Sequence, residues 1–281
     1  VEAKIMSLSY CKLPDRAVLK IEGEDRLDFL QGLISNDVNK ITEDNAIYAA
    51  FLTPQGKFLC DFFIAQHDGN ALLLDIATDT MPAFKKKLMM YKLRANVTIT
   101  DVSDTYDVFA IFGGETDQTG VFCDPRLPAA GYRAILQTGT TIDTAQEVPF
   151  ETYELMRIQL GLPDGARDMT IERSILLENG FDELNGVDWD KGCYMGQELT
   201  ARTKYRALIK KRLFPVMVEG DLPPSGTQVT SGEKNVGEIH SGIKNMALAT
   251  LKLDALNDEL HAGEAKIIPQ KPDWMVLPEN I

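Results

Sequence analysis

The apolar and polar positions of this chain mark off short elements almost from its start. Ala17-Val18-Leu19-Lys20-Ile21 reads as a strand, and Glu22-Gly23-Glu24-Asp25 carries the chemistry of a turn and a helix N-cap. Leu27, Leu30, Leu33 and Ile34 then recur at helical spacing, which predicts a helix with one buried face ending near Asn36-Asp37. Three strands are predicted over 46–52, 57–66 and 71–76, separated by the turn signals Pro54-Gln55-Gly56 and Asp68-Gly69-Asn70. A helix from about Thr80 to Lys92 places Met81, Phe84, Leu88 and Tyr91 on one face and leaves Lys85-Lys86-Lys87 on a solvated side. "NVTITDVS" and "YDVFAIFG" add two more strands, so this segment reads as an α+β unit built on an antiparallel sheet.

The pattern changes near Thr138. "PFETYELMRIQLGLP" predicts a helix with Phe150, Tyr153, Leu155, Met156 and Ile158 at its apolar positions, ended by Gly161 and Pro163. From Arg212 onward the chain is rich in Gly, Pro, Ser and Thr, with short strands expected at 227–230 and 236–240 and alternating stretches in "ALATLKLDAL" and "AKIIPQ". That tail predicts a small all-β domain, a barrel.

Composition narrows the class. The chain has 281 residues, 44% of them hydrophobic and 25% charged, enough for two or three cores. No apolar run approaches the roughly 20 residues that a membrane-spanning helix needs, so no membrane is expected. The first residues, "VEAKIMSLSYCKLP", lack the layout of a secretory signal. A net charge of −13 argues against a protein that coats nucleic acid non-specifically. Cysteines at 11, 60, 123 and 193 form no Cys-x-x-Cys pair, and His67, His240 and His261 stand apart, so no metal site is expected. Scattered thiols in a chain of this size fit a reducing cytosol or mitochondrial matrix.

Candidate chemistry concentrates in "KGCYMGQE", residues 191–198. Gly192 and Gly196 would let a docking group approach the backbone, because neither carries a side chain. A helix starting near Gly196 would favour an anion there, and Cys193 beside Lys191 would have its thiolate favoured. The same residues also suit a tight connection around a buried, inert cysteine. Arg202, Lys204, Arg206, Lys210, Lys211 and Arg212 form a basic run in an acidic chain. It reads either as a solvated helix end or as a contact for polycarboxylate or phosphate. In "TPQGKFLCDFF", strand alternation would let only one of Cys60 and Asp61 face inward. Glycine-rich dinucleotide or phosphate loops, a nucleophile elbow and a zinc-protease motif are absent.

"KGCYMGQELTAR" closely resembles the Lys-Gly-Cys-Tyr-x-Gly-Gln-Glu signature of the YgfZ family, which includes the mitochondrial Iba57 proteins and is related to the glycine-cleavage T-protein, a tetrahydrofolate-dependent aminomethyltransferase. "FLQGLISNDV", "AAFLTPQGKFLCDFFI", "YKLRANVTITDVS", "RIQLGLPDGARD" and "VGEIHSG" are similar to further family segments, so the resemblance spans the chain. It implies an α+β fold of three domains in a cloverleaf around a central opening. The first domain would be split between 1–45 and 139–206, an α+β, ferredoxin-like second domain would cover 46–138, and a C-terminal β-barrel would follow over 207–281. The implied ligand is tetrahydrofolate or a one-carbon derivative. Glu178 would meet the pterin, Lys211 or Arg212 would be the basic residue at the start of the last domain, Arg202 belongs to the signature, and Cys193 is its thiol. Where T-proteins carry an Asp-Asp pair, this chain has Cys60-Asp61, which departs from the aminomethyl-transfer pattern and leaves Asp61, with Arg202, as an implied folate contact. The resemblance therefore implies a folate-binding accessory protein for assembly or repair of iron–sulfur enzymes, with those enzymes or cluster-assembly proteins as partners. Aminomethyl transfer in glycine cleavage is the first alternative, and a tRNA-modification factor contacting tRNA through the basic run is the second. The implied location is a bacterial cytoplasm or a mitochondrial matrix.

Overall fold

The computed structural model describes residues 8–206 and 209–278. The chain forms two compact units, one drawn from Val1–Leu52, Leu59–Phe150 and Asn185–Met195, the other from Thr53–Phe58, Glu151–Leu184 and Gly196–Ile281. In chain order the first carries β1 (Ser9–Lys12), β2 (Arg16–Glu22), α1 (Arg26–Gln31), β3 (Ile47–Leu52), β4 (Phe58–His67) and β5 (Ala71–Ala77). Then follow α2 (Met81–Lys92), β6 (Thr98–Asp101), β7 (Tyr106–Phe112), β8 (Val121–Cys123), β9 (Tyr132–Gln137) and β10 (Gln146–Glu147).

These strands make two five-stranded sheets, ordered β3-β4-β5-β2-β6 and β10-β1-β7-β9-β8. In the first, β2 pairs antiparallel with β5 from Arg16↔Ala77 to Glu22↔Ala71 and with β6 around Leu19↔Asp101. The domain cut expected at 45/46 runs through this sheet, because Ala17, Leu19 and Ile21 of β2 share one apolar cluster with Ile47, Phe51, Phe62, Leu74 and Ile76. Helical residues Leu30, Phe84 and Leu88 cover that cluster. The sheet's opposite face is buried too, and it carries charge. Asp75 is fully buried between Arg16 and Arg133, the latter donating through Nε at 2.9 Å. The Arg133 guanidinium lies 4.0 Å from the centre of the Phe63 ring, and that of Arg126 lies 4.9 Å away. Buried charges persist only when paired and hydrogen-bonded, and here each of these ions has its counter-ion.

The second unit contains α3 (Phe150–Gln159), α4 (Gly165–Asp168), a 3₁₀ turn at Leu176–Asn179 and α5 (Gln197–Tyr205). Six strands follow: β11 (Lys211–Glu219), β12 (Gln228–Ser231), β13 (Lys234–Ile243), β14 (Met246–Lys252), β15 (Leu260–Ala262) and β16 (Ala265–Pro269). They close into a barrel ordered β11-β14-β13-β12-β15-β16, which leaves no open sheet edge. Alternate residues fill it, among them Phe214, Val216 and Val218 of β11 and Ala247, Ala249 and Leu251 of β14. Arg157 ties α3 and α4 to this barrel. All five of its N–H groups are used: two on Glu154 (2.6 and 2.7 Å), one on Asp168 (2.9 Å), one on the Leu162 carbonyl (3.1 Å) and one on Ser241 of β13 (2.6 Å). None of the described helices is long and apolar enough to cross a membrane.

Candidate functional site

The signature loop is held by backbone chemistry. Residues 185–195 are stitched to the segment after α1. Ser35 donates through Oγ to the Gly186 carbonyl at 2.6 Å, Asn36 donates to the Asn185 carbonyl at 2.7 Å, and the Asp188 N–H reaches Ser35 O at 3.0 Å. Lys191 closes the arrangement. Its ammonium donates to the carbonyls of Gln31 (2.9 Å), Ile34 (2.6 Å) and Asn36 (2.7 Å), one acceptor for each of its three protons. The first of these carbonyls belongs to the last residue of α1, where a cation is favoured. Burial pulls the Lys191 pKa down to about 8, against the pull of Asp37 and Asp188. The Tyr194 ring lies 5.0 Å from the same ammonium, and Asp188 accepts from the Asp190 and Lys191 N–H groups at 2.8 and 3.0 Å. Lys191 is therefore a pin for the loop, its three protons all directed at backbone carbonyls.

What the pinned loop offers outward is Cys193, an exposed, free thiol. Beside it, a side chain at Gly192 would meet no heavy atom within 4 Å, so the approach is open. Gly196, at φ 83°, then starts α5 in a left-handed conformation that glycine adopts without strain. Cys193 is thus not the buried cysteine of the alternative reading. Cys123 is exposed as well, whereas Cys11 and Cys60 are buried.

Asp61 and Cys60 resolve differently from the alternation argument. Both are buried, because their sheet is covered on both faces. Cys60 sits in the apolar cluster, where desolvation pushes its thiol pKa well up, with the Asp61 charge adding to the effect. Asp61, expected as a ligand contact, accepts a 2.8 Å hydrogen bond from the buried Tyr48 hydroxyl. No signal in the sequence marked Tyr48, since its role follows from which strand lies next to β4.

In the second unit the structure brings Glu178 and Lys211 together, with Lys211 Nζ 3.6 Å from Glu178 Oε2. The Glu178 carboxyl is 14% exposed and the Lys211 side chain 49%. Burial raises the Glu178 pKa, and the charges of Lys211 and then Lys57 pull against it. Lys57 was missed as a site residue, although it is the lysine of the Gly-Lys hairpin. Beside Lys211 lies a cleft of about 420 Å³, lined in part by Thr170, Ser174, His240, Thr250 and Lys252. Arg212 is committed elsewhere: it is buried and donates to Glu183 at 2.8 Å. Of the basic run, Lys204 pairs with Asp182 at 3.0 Å, while Arg202, Arg206 and Lys210 are exposed. Lys204, Lys211 and Arg212 of the run thus each have an acidic partner of their own. Among the described residues, no group of three or more His, Cys, Asp or Glu side chains is arranged to hold a metal ion.

Comparison with known proteins agrees with both units. Residues 15–119 match the family model of the GCVT N-terminal domain, and residues 210–277 that of the CAF17 C-terminal β-barrel domain. The chain is 34% identical to the mitochondrial iron–sulfur cluster assembly factor IBA57 homologue of Mycosarcoma maydis, over 86% of this chain and 73% of that one. It is 30% identical to the mitochondrial iron–sulfur cluster assembly factor IBA57 of Mus musculus, over 94% of this chain and 84% of that one. Among solved structures, the glycine cleavage system aminomethyltransferase T from Bartonella henselae superposes with a TM-score of 0.75, covering 96% of this chain and 86% of its own. At 11% identity that is a likeness of fold alone.

Proposed function

The chain belongs to the family of IBA57 iron–sulfur cluster assembly factors, and we propose that it is a tetrahydrofolate-binding accessory protein whose Cys193 thiol serves the assembly or repair of iron–sulfur enzymes. The observation that carries this reading is the exposure of Cys193 on a loop pinned by the Lys191 ammonium. An exposed thiol can lose its proton to solvent and donate a lone pair to iron. One thiolate cannot hold a cluster alone, so a partner protein or a small thiol supplies the remaining ligands. Cys60, Cys123 and Cys193 are free thiols, which suits a reducing compartment, and the relatives named above are mitochondrial.

The folate half of the proposal rests on Glu178 and Lys211. A largely buried carboxyl can accept from the N–H donors on the edge of a pterin, and the half-exposed Lys211 beside it can meet a carboxylate of the folate tail. Bound folate would supply one-carbon or redox chemistry, and these residues would only hold and orient it. Aminomethyl transfer is less well supported. The position that would carry its second carboxylate is Cys60, inside an apolar cluster.

The test replaces residues in cells that lack the endogenous protein. Cys193→Ala is expected to abolish recovery of an iron–sulfur enzyme's activity while leaving tetrahydrofolate affinity unchanged, with Cys123→Ala as the exposed-thiol control. Glu178→Gln is expected to weaken folate binding by about tenfold, the loss of one charged hydrogen-bond acceptor. Full enzyme recovery with Cys193→Ala would remove the thiol from the mechanism.

A further inference from the structure

The end of α2 presents an exposed apolar surface. Seven large apolar side chains are exposed among the described residues, and four of them are neighbours in sequence: Met89 (50%), Met90 (67%), Tyr91 (40%) and Leu93 (86%). The helix already supplies the core through Met81, Phe84 and Leu88, and of these four Tyr91 also touches it, through the Phe51 ring. Scattered exposed apolar residues are ordinary in a folded protein; a contiguous group is not.

Leu93 is held outward by a strained backbone. The Ala95 N–H closes a tight turn on the Lys92 carbonyl at 2.8 Å, with Leu93 at its first central position. Its φ of 43° and ψ of −108° match a type II′ turn, where glycine is the usual occupant. A leucine kept in that conformation and left in water gains nothing from the fold, and strain of this kind marks surfaces that meet something else. Tyr91 is braced edge-on against Phe51, with ring centres 6.2 Å apart, so little freedom is lost when a partner covers it.

The rim is cationic. Lys85, Lys86, Lys87, Lys92 and Arg94 flank the apolar group along the chain, and no acidic residue occurs between Met81 and Val97. None of the five joins an ion pair among the described residues. In a chain of net charge −13 this is a local reversal of sign. An anionic membrane would attract the patch but repel the acidic remainder, whereas a protein segment need touch only the patch. We propose that residues 85–94 form a docking surface for an acidic amphipathic segment of a partner protein, with Met89, Met90, Tyr91 and Leu93 covering its apolar side and the basic rim its carboxylates. This surface does not depend on the folate or thiol reading.

The experiment follows fluorescence anisotropy of a labelled four-turn peptide with leucines on one helical face and glutamates on the others. The same peptide with lysine for every glutamate, and vesicles of phosphatidylcholine and phosphatidylserine, are run in parallel. The wild-type chain is expected to bind the acidic peptide, with affinity falling as salt rises, and to bind the basic peptide at least about tenfold more weakly. Leu93→Gly and Met90→Gln are each expected to weaken acidic-peptide binding by about tenfold, the effect of removing one central anchor. Leu93→Gly should melt no lower than wild type, because glycine accepts the turn. The proposal is overturned if the acidic peptide does not bind, if the variants bind it as wild type does, if both peptides bind equally, or if the vesicles bind more tightly than the peptide. A lower melting temperature for Leu93→Gly would overturn the strain argument.

Discussion

Replacing Lys191 by methionine keeps the apolar stem and removes the ammonium that pins the signature loop. Three hydrogen bonds of 2.6–2.9 Å are lost, each contributing about 1.5–3 kcal/mol because the donor is charged. The burial that draws the pKa from 10.5 to about 8 costs about 3 kcal/mol in the other direction, at about 1.4 kcal/mol per unit. The balance leaves Lys191→Met less stable by about 1.5–6 kcal/mol near neutrality. The pH dependence separates the two effects. With the folded pKa below the unfolded one, the unfolded chain carries more protons between about 8 and 10.5. Lys191 therefore adds stability as pH rises through that window, by up to about 1.4 kcal/mol per pH unit, and the added part is lost again as pH falls to about 8. Urea unfolding of wild type and Lys191→Met across this range, with other titrating groups cancelling in the difference, should show a gap that widens with pH. A gap under about 0.5 kcal/mol at neutral pH would refute the pinning role, since ordinary surface substitutions stay within that limit. A gap that narrows toward pH 10.5 would mean that the carbonyls hold the proton more strongly than burial expels it.

Arg157→Met leaves the buried Asp168 without its counter-ion and Glu154 with Arg167 alone, and should destabilise the second unit by about 3–5 kcal/mol; an unchanged urea midpoint would contradict the network's role. Alkylation of the native protein followed by peptide mass mapping should modify the exposed Cys193 and Cys123 readily, leaving the buried Cys11 and Cys60 unmodified until denaturant is added; prompt labelling of Cys60 would mean that its sheet opens.

The elements were readable where one periodicity ran uninterrupted between turn residues. The β3–β5 run, α2 and the barrel strands β13 and β14 all lie where alternation and Gly, Asn or Pro punctuation placed them. Pairing was less accessible. Nothing local indicates that β2 crosses the expected domain boundary to lie between β5 and β6, because that depends on which apolar face needs cover after the chain has folded. Continuous burial of β3 and β5 was equally hidden. The second sheet contributes Arg126 and Arg133 to their outer face, and these residues sit on short strands and loops with weak patterns of their own.

The site was legible as residue types and illegible as assignments. Adjacent Lys211 and Arg212 were equivalent candidates on paper, yet in β11 they point to opposite sides. The even-numbered residues Phe214, Val216 and Val218 fill the barrel cluster, and Arg212 shares their side and is buried against Glu183, while Lys211 remains half-exposed beside Glu178. Alternation alone could have separated the pair once Phe214, Val216 and Val218 were recognised as the inward set. Lys191 offered no such route. Its partners are three backbone carbonyls more than 150 residues away in sequence, and a carbonyl has no residue identity by which to announce itself. The signature's lysine and cysteine sit two positions apart, which invites the view that one activates the other. In the structure all three protons of the lysine go to backbone carbonyls, while the cysteine two positions on is exposed.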